Sequence, residues 1–412
     1  MAAVVKQYSV WIHDTRAGTI TQREDHTRFI VAREYIQDPT RPVLGLIFEQ
    51  DLDRWHSSNL RVPPWFSNLL PEGQLRNLIA LDRRVSPERE MELLAQVGHD
   101  LPGAVRVRSM ELSADANQVE PSASTFIDHK AEAAPSGWRF SLAGVGLKLS
   151  MLLREDRLTL PGVGEHGDWI LKLPSPTFEG VPQNEYAMMT LAARVGIDVP
   201  KIRLVHRDSL PAVTPRQWPA SEDWAYAVKR FDRRPDRSLV HIEDFAQVRN
   251  LYADRKYNSN YETVGSIVYR GRDVASLKEF VRRLTLCILV SNGDAHLKNW
   301  SLIYKDGKTA SLSPAYDIVS TACYRDAVHG SEDLGLKFAK NRRFDHVSLR
   351  DFDRLEQRLS AQGTSLSSVA REVIRRVHEE WPSVEDEVAM TDAVRKSVNE
   401  SIRLHSRSLT RT

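Results

Sequence analysis

The stretch "SNGDAHLKNWSLIY" (291–304) gathers Asp294, His296, Lys298 and Asn299 within six positions, directly after an apolar segment. Asp294 and Asn299 lie five apart, and a further carboxylate, Asp317, follows in "SPAYDIVS" (313–320). Two carboxylates and one carboxamide at one point offer hard oxygen ligands for Mg²⁺ and leave a carboxylate to accept a proton. Each residue alone has a plainer reading: Asp294 caps a turn, Asn299 pairs with backbone, and Asp317 ends a strand. Jointly, in this order and after this segment, they favour chemistry.

Particular elements must bring them together. Residues 275–290 read as an amphipathic to apolar helix that stops at Ser291-Asn292-Gly293. "WSLIYKDGKTASLSPAYD" then reads as a hairpin turning at Lys305-Asp306-Gly307-Lys308. A hairpin returns the chain near its start, so the spacing predicts that Asp294, Asn299 and Asp317 converge. Protein-kinase loops place a base Asp before a Mg²⁺-binding Asn, with a second metal-binding Asp later, and this chain keeps that order. It lacks His-Arg-Asp, and "YDI" stands where Asp-Phe-Gly would be.

A phosphate side is also present. "SLAGVGLKLS" (141–150) sets Gly144 and Gly146 between strand-like runs, where backbone N–H groups can approach phosphate oxygens. The G-K-[ST] order of a Walker A loop is missing, and a plain β-turn is the competing reading. In "WILKLP", alternation puts Trp169, Leu171 and Leu173 on one face and Lys172 on the other. A Lys in a short apolar strand is costly unless it meets a charge. Glu185, expected in the first turn of the next helix, is the natural partner, and the pair would aim an ammonium at nucleotide phosphates. The alternative is an edge Lys that snorkels to solvent. "AYAVKRFDR" (225–233) sits where a two-lobed kinase has its adenine-binding hinge, which would use backbone at Lys229 to Phe231, with Asp232 near the ribose.

The 412 residues are 41% hydrophobic and 27% charged, with net charge +2. That fits a globular protein of two or three packed units, and any DNA contact would need a local patch. No apolar run approaches the roughly 20 residues that span a bilayer, and "MAAVVKQYSVWIHD" lacks a signal-peptide pattern. Cys287 and Cys323 have no CxxC spacing, so neither a disulfide scaffold nor a zinc site is expected. The expectation is a cytoplasmic protein.

The chain divides into 1–112, a small α/β subdomain; 113–137, an Ala/Ser/Asp/Pro-rich linker; 138–236, a β-rich lobe with one helix; and 237–412, a helical lobe. "YSVWIH", "RFIVAR" and "LGLIFE" read as strands, and Ser86-Pro87-Glu88 as a helix start. "NEYAMMTLAARVG" reads as a helix capped at Gly196, and "IEDFAQVRNLY" as another helix. The predicted fold class is α+β: a two-lobed protein-kinase-like fold, β-rich N-lobe and helical C-lobe, with an additional N-terminal α/β subdomain.

These residues resemble the HipA-type serine/threonine kinases, toxins of type II toxin–antitoxin systems. The resemblance runs over most of the chain. "WFSNLLPEGQLR" (65–76) is similar to the signature of the family's N-terminal subdomain, and "SLAGVGLKLSM" to its Gly-rich loop. "ILKLP" resembles the nucleotide-Lys strand, "NEYAMMTLAARVGIDVP" the regulatory-type helix and "AVKRFDR" the hinge. "NGDAHLKNWSL" resembles the catalytic loop and "LSPAYDIVST" the metal loop; these last motifs, in this order, are the most specific.

The resemblance implies Asp294 as catalytic base, Asn299 and Asp317 as Mg²⁺ ligands, and Lys172 holding the phosphates of ATP. It adds Ala143, Gly144, Val145, Gly146 and Lys148 of the Gly-rich loop, with His296 and Lys298 of the catalytic loop, to the nucleotide site. Ser141 matches the serine that such kinases autophosphorylate, which ejects the loop and inactivates the enzyme. The family loop often reads Ala-Gly-Ala-Gln-Glu-Lys; here the Gln-Glu pair is absent and Lys148 is kept. The family further implies an aminoacyl-tRNA synthetase as protein substrate, growth arrest, and a helix-turn-helix, HipB-like antitoxin that carries the kinase on operator DNA. Two other readings stay open: a small-molecule kinase of the aminoglycoside/choline type, since "GDAHLKN" also fits that loop, and a catalytically inert co-repressor.

Overall fold

Alternation along Tyr8, Val10 and Ile12 of β1 (Val5–Ile12) turns these side chains into one core, where they lie at 0–4% exposure. The computed structural model of the chain describes residues 4–110, 148–154, 157–159, 167–211, 213, 218, 222–325 and 332–411. β1 is joined by β2 (Thr15–Arg23), β3 (His26–Val31), β4 (His56–Asn59) and β5 (Val105–Met110) in an antiparallel sheet of order β4-β3-β2-β1-β5. Short helices cover one face: α1 (Arg33–Gln37), α2 (Leu46–Glu49), α3 (Pro64–Ser67), α4 (Gly73–Asp82) and α5 (Glu90–Val97). Phe29, Phe48, Trp65 and Phe66 fill the space between them with edge-on ring contacts.

The second sheet has order β7-β6-β8-β10-β9, from β6 (Lys148–Arg154), β7 (Arg157–Thr159), β8 (Trp169–Lys172), β9 (Ile202–His206) and β10 (Trp224–Lys229). α6 (Val181–Arg194) packs on it and ends as expected at Gly196, whose φ of 85° lets Ile197 N–H reach back to Ala192 O at 3.0 Å. The helical lobe follows. β11 (His241–Asp244), β12 (Ser301–Tyr304) and β13 (Ala310–Leu312) form a small sheet. Around it lie α7 (Phe245–Val248), α8 (Tyr261–Tyr269), α9 (Val274–Leu289), α10 (Leu349–Arg358), α11 (Leu366–Glu387) and α12 (Asp392–Leu409). Among the described residues no helix is long and apolar enough to cross a membrane.

Three local expectations change. "LGLIFE" is the single turn α2, not a strand. Its first N–H, that of Leu46, is received by Glu243 from β11 at 3.0 Å, a partner 197 positions away that no local pattern reveals. The helix expected from Pro87 starts at Glu90, whose carboxylate is drawn inward to Ser67 Oγ (3.0 Å) and Val62 N–H (3.2 Å). "IEDFAQ" is strand first, then one turn of helix closed by an Asp244–Gln247 capping box. "WRFSLAG" and the linker 113–137 lie outside the described residues.

The first sheet's helices dock on the helical lobe through buried polar groups. Glu243 receives Leu46 N–H, Trp65 Nε1–H at 3.1 Å and the Tyr304 hydroxyl. His241 Nε2 lies 2.8 Å from Leu44 O. Burial is the strongest influence on Glu243 and, against those three donors, pushes its carboxyl from 4.5 up to about 7. An acid raised in the folded state stabilises fully below its unfolded value, and that contribution is lost as pH rises through the folded value. Glu243→Gln removes this titration, whereas His241 acts on parent and variant alike. The melting temperature of the parent relative to the variant is therefore expected to fall from about pH 5 to about pH 8; a difference that stays flat across that range would contradict the assignment.

Candidate active site

α9 buries its apolar face, and the chain leaves it by a tight turn at Ser291, which has φ of 53°. That residue is tied down from α12: its Oγ lies 2.8 Å from Ser401 Oγ and 2.9 Å from His405 Nε2. Gly293 is required here, because an added Cβ would stand 2.5 Å from the Glu332 carboxyl and 2.6 Å from Asp333 O. Its N–H donates to Thr321 Oγ1 at 2.8 Å, linking this loop to the segment after Asp317. Asp294 then projects into the cleft with its side chain 55% exposed, receiving the Tyr257 hydroxyl. Asn299 Nδ2 donates to Asp294 O at 2.7 Å and closes the loop. His296 is buried, edge-on to Tyr257 with ring centroids 5.0 Å apart. Burial lowers its pKa to about 4, so the ring is neutral near pH 7.

The hairpin β12–β13 forms as expected and returns the chain to this loop, where Ser313 N–H donates to Ser301 O at 2.9 Å. Tyr316 Oη lies 2.5 Å from Ser301 Oγ and donates to Lys298 O at 2.9 Å. Asp317 sits in the left-handed region at φ 56°, a conformation Asp tolerates better than most residues. Its carboxylate meets the Lys172 ammonium directly and has Lys148 Nζ at 3.8 Å. Lys172 also donates to Glu185 at 2.5 Å and stands 5.5 Å over the Tyr226 ring. The predicted Lys172–Glu185 contact is therefore present, although Glu185 is the fifth residue of α6 rather than in its first turn.

The charges tune one another. For Lys172, burial is the largest influence and pulls its pKa down; Asp317 and Glu185 together outweigh it and hold the ammonium above its ordinary range. Desolvation works to raise Asp317 as well, yet Lys148 and Lys172 hold it well below the usual carboxylate range. Glu185 is pushed up to about 6 by burial, since the Lys172 charge it opposes is shared with Asp317.

These groups face a cavity of about 1650 Å³ between the lobes. Lys148, Lys172, Glu185, Asp294, Asn299 and Asp317 all line it, as do Lys229 and Phe231 on the hinge side. Phe231 stacks at 5.6 Å on Tyr316, and Lys229 N–H is taken by Lys201 O at 2.8 Å. An Asp317 carboxylate and an Asn299 carboxamide oxygen are hard donors of the kind Mg²⁺ takes alongside substrate phosphates and water, so these residues fit that ion.

Two residues are placed differently. Asp232 is 4% exposed, and its carboxylate accepts from Arg230, from Arg233 and from Gly103 N–H, all at 2.8–2.9 Å. It clasps the hinge to the first sheet's loop, in place of the expected position beside a ribose. Lys298 borders the cleft but is held by the first sheet's region, its ammonium 2.9 Å from Glu72 Oε1 and 3.1 Å from Asn68 O. Ser141, Ala143, Gly144, Val145 and Gly146 lie outside the described residues. Sequence reasoning missed Tyr257, Asn68 and Glu72. "NLLPEG" carries the last two, and an Asn and an acid flanking an apolar Leu-Leu-Pro run were the available signal; nothing around "RKYNSN" marks Tyr257.

A β-rich lobe over a helical lobe, with an acidic loop facing a paired lysine across the cleft, defines a kinase-like two-lobed protein. The HipA N-terminal domain family matches residues 8–108, and the HipA-like C-terminal domain family matches residues 140–381. The chain belongs to the HipA family, one of toxin kinases of toxin–antitoxin systems. It is 38% identical to Y4dM of Sinorhizobium fredii over 95% of both chains, and 27% identical to Y4mE of the same organism over 78% of this chain and 79% of that one; both carry a kinase designation in their names. Its fold is shared with HipA from the Shewanella oneidensis MR-1 complex of HipA, HipB and operator DNA. The TM-score is 0.71 at 19% identity, covering 97% of this chain and 96% of that one.

Removing the Lys172 charge leaves Glu185 and Asp317 facing each other with only the more distant Lys148 between. Lys172→Met is expected to cost about 3–5 kcal/mol, the usual loss on breaking a buried pair. Adding Glu185→Gln should return part of it, as measured by denaturant unfolding of the two single variants and the double variant. Strict additivity of the two changes would show that the pair is not coupled.

Proposed function

We propose that this chain is an ATP-dependent serine/threonine protein kinase that acts as the toxin of a toxin–antitoxin pair. The observation that carries the reading is the convergence of Asp294, Asn299 and Asp317 on one cleft with the Lys172–Glu185 pair. Asp294, open to the cleft, takes the proton of an acceptor serine or threonine hydroxyl. The hydroxyl oxygen forms its bond to the γ-phosphorus as the bond to the ADP oxygen breaks. Lys172, kept cationic by its two carboxylates, and Lys148 beside it face the phosphates. Backbone at Lys229 to Phe231 holds the adenine. Mg²⁺, when held by Asp317 and Asn299, would neutralise charge on the phosphate oxygens.

Ser141 is proposed as an autophosphorylation site. A phosphoserine adds about −1.5 to −2 charges at neutral pH and would repel ATP phosphates from the Gly-rich loop. The acceptor is proposed to be a cytoplasmic protein, by family resemblance an aminoacyl-tRNA synthetase, so that transfer stops tRNA charging and growth. The partner is proposed to be a HipB-like antitoxin that brings the kinase to operator DNA; the Shewanella oneidensis structure is a complex of HipA, HipB and operator DNA.

The test is transfer of label from γ-³²P-ATP into proteins of a bacterial lysate. Asp294→Asn is expected to slow transfer by about 10²–10⁴-fold while Mg²⁺-ATP still binds. Asp317→Asn should weaken the Mg²⁺-dependent part of ATP binding. Growth arrest by an Asp294→Asn protein at the parent level would sink the reading.

A further inference from the structure

The motif "NLLPEG" belongs to the first sheet's region, yet Asn68 and Glu72 line the catalytic cleft. Glu72 holds two lysines at once: Oε1 is 2.9 Å from Lys298 Nζ and Oε2 is 3.3 Å from Lys256 Nζ. Asn68 adds its carbonyl and its side-chain oxygen to Lys298 at 3.1 and 3.2 Å. All three charged side chains are 4–15% exposed. A buried cluster of this kind is expensive to break, so it fixes whatever it holds.

What it holds is the acidic loop, from both sides. Lys298 lies within the loop. Lys256 O accepts the N–H of Leu297 at 3.1 Å, and the next residue, Tyr257, donates its hydroxyl to Asp294. Lys256 Nζ also stands 5.7 Å over the Tyr257 ring.

We propose that Glu72, with Asn68, is a positioning residue for phosphoryl transfer: by gripping Lys298 and Lys256 it sets, through the loop and Tyr257, the pose of the Asp294 carboxylate. The N-terminal region is then part of the catalytic machinery. The inference rests on Asp294 being the base, as proposed above.

The grip has an electrostatic signature. Glu72 is desolvated, which alone would raise its pKa, yet Lys298 and Lys256 hold it down to about 2. The carboxylate therefore stays charged at every pH where the enzyme would work.

The experiment uses the full chain with Glu72→Gln, Glu72→Asp, Tyr257→Phe, the double variant Glu72→Gln/Lys298→Met, and Asp294→Asn as reference. Initial rates of label transfer into lysate protein at saturating Mg²⁺-ATP are set against calorimetric affinity for Mg²⁺-ATP. Glu72→Gln should lose about 10²-fold in rate, the scale of a misplaced catalytic group, with affinity within about threefold of the parent. Glu72→Asp should recover part of the rate, and Tyr257→Phe should lose about tenfold with unchanged affinity. The double variant, free of both buried charges but also of the grip, should lose rate by about the same 10²-fold factor as Glu72→Gln, and it carries the test if that single variant does not fold.

A folded Glu72→Gln or double variant that transfers at the parent rate overturns the inference. So does one whose rate falls only as far as its ATP affinity, which would mean a structural role alone. If Asp294→Asn keeps the parent rate, the base assignment has failed instead, whatever Glu72→Gln does.

Discussion

The Lys172 ammonium is drawn between two carboxylates that arrive on different elements: Glu185 from α6 and Asp317 from the segment beyond β13. A buried cation needs its counter-charges at hydrogen-bond range, which constrains where each element stops. β8 must end with Lys172 on the cleft face while Trp169 and Leu171 fill the opposite core. α6 must rest on the sheet at the height of Glu185. The helical lobe must send Asp317 up to meet them, and it does so from a left-handed backbone position. The two lobes thus share one electrostatic centre at the cleft.

The same logic recurs where the first sheet's region meets the helical lobe. Glu243, His241, Lys298 and the Arg230–Asp232–Arg233 cluster are all buried at or beside that junction. Each finds its partner across it: Leu46 and Trp65 for Glu243, Leu44 O for His241, Glu72 for Lys298, and Asp100 with Gly103 for the arginine cluster. Polar groups out of water tolerate few alternative arrangements, so they fix orientation more sharply than an apolar interface of equal area.

Much of the site was legible because its geometry is short-range. Strand alternation alone turns Lys172 into the cleft, and a hairpin alone returns Asp317 toward Asn299. The Gly196 cap follows from one residue. The rest depends on partners far along the chain. Asn68 and Lys298 are 230 positions apart, and Glu72 could be seen as a ligand for Lys298 only once both lay in one cleft. Asp232 shows the opposite case. Its position in the sequence suggested a ribose, but two neighbouring arginines and a distant glycine N–H occupy its oxygens. "LGLIFE" failed for a similar reason: four apolar residues suit a strand or a turn of helix equally, and the deciding group is a carboxylate on β11.

The docking of Trp65 on Glu243 joins residues 178 positions apart. At typical synthesis rates of about 5–20 residues per second, the ribosome delivers Glu243 roughly 10–40 s after Trp65. Over that interval the first sheet already has its own aromatic core and can close around it. The faces bearing Leu44 O, Trp65 Nε1, Asn68 and Glu72 remain wet, because the groups that satisfy them do not yet exist. α12, made well after the loop, then locks Ser291 from behind through His405. The loop at 291–299 therefore gains this buttress only once α12 has emerged, so its turn at Ser291 is completed by residues made long after it.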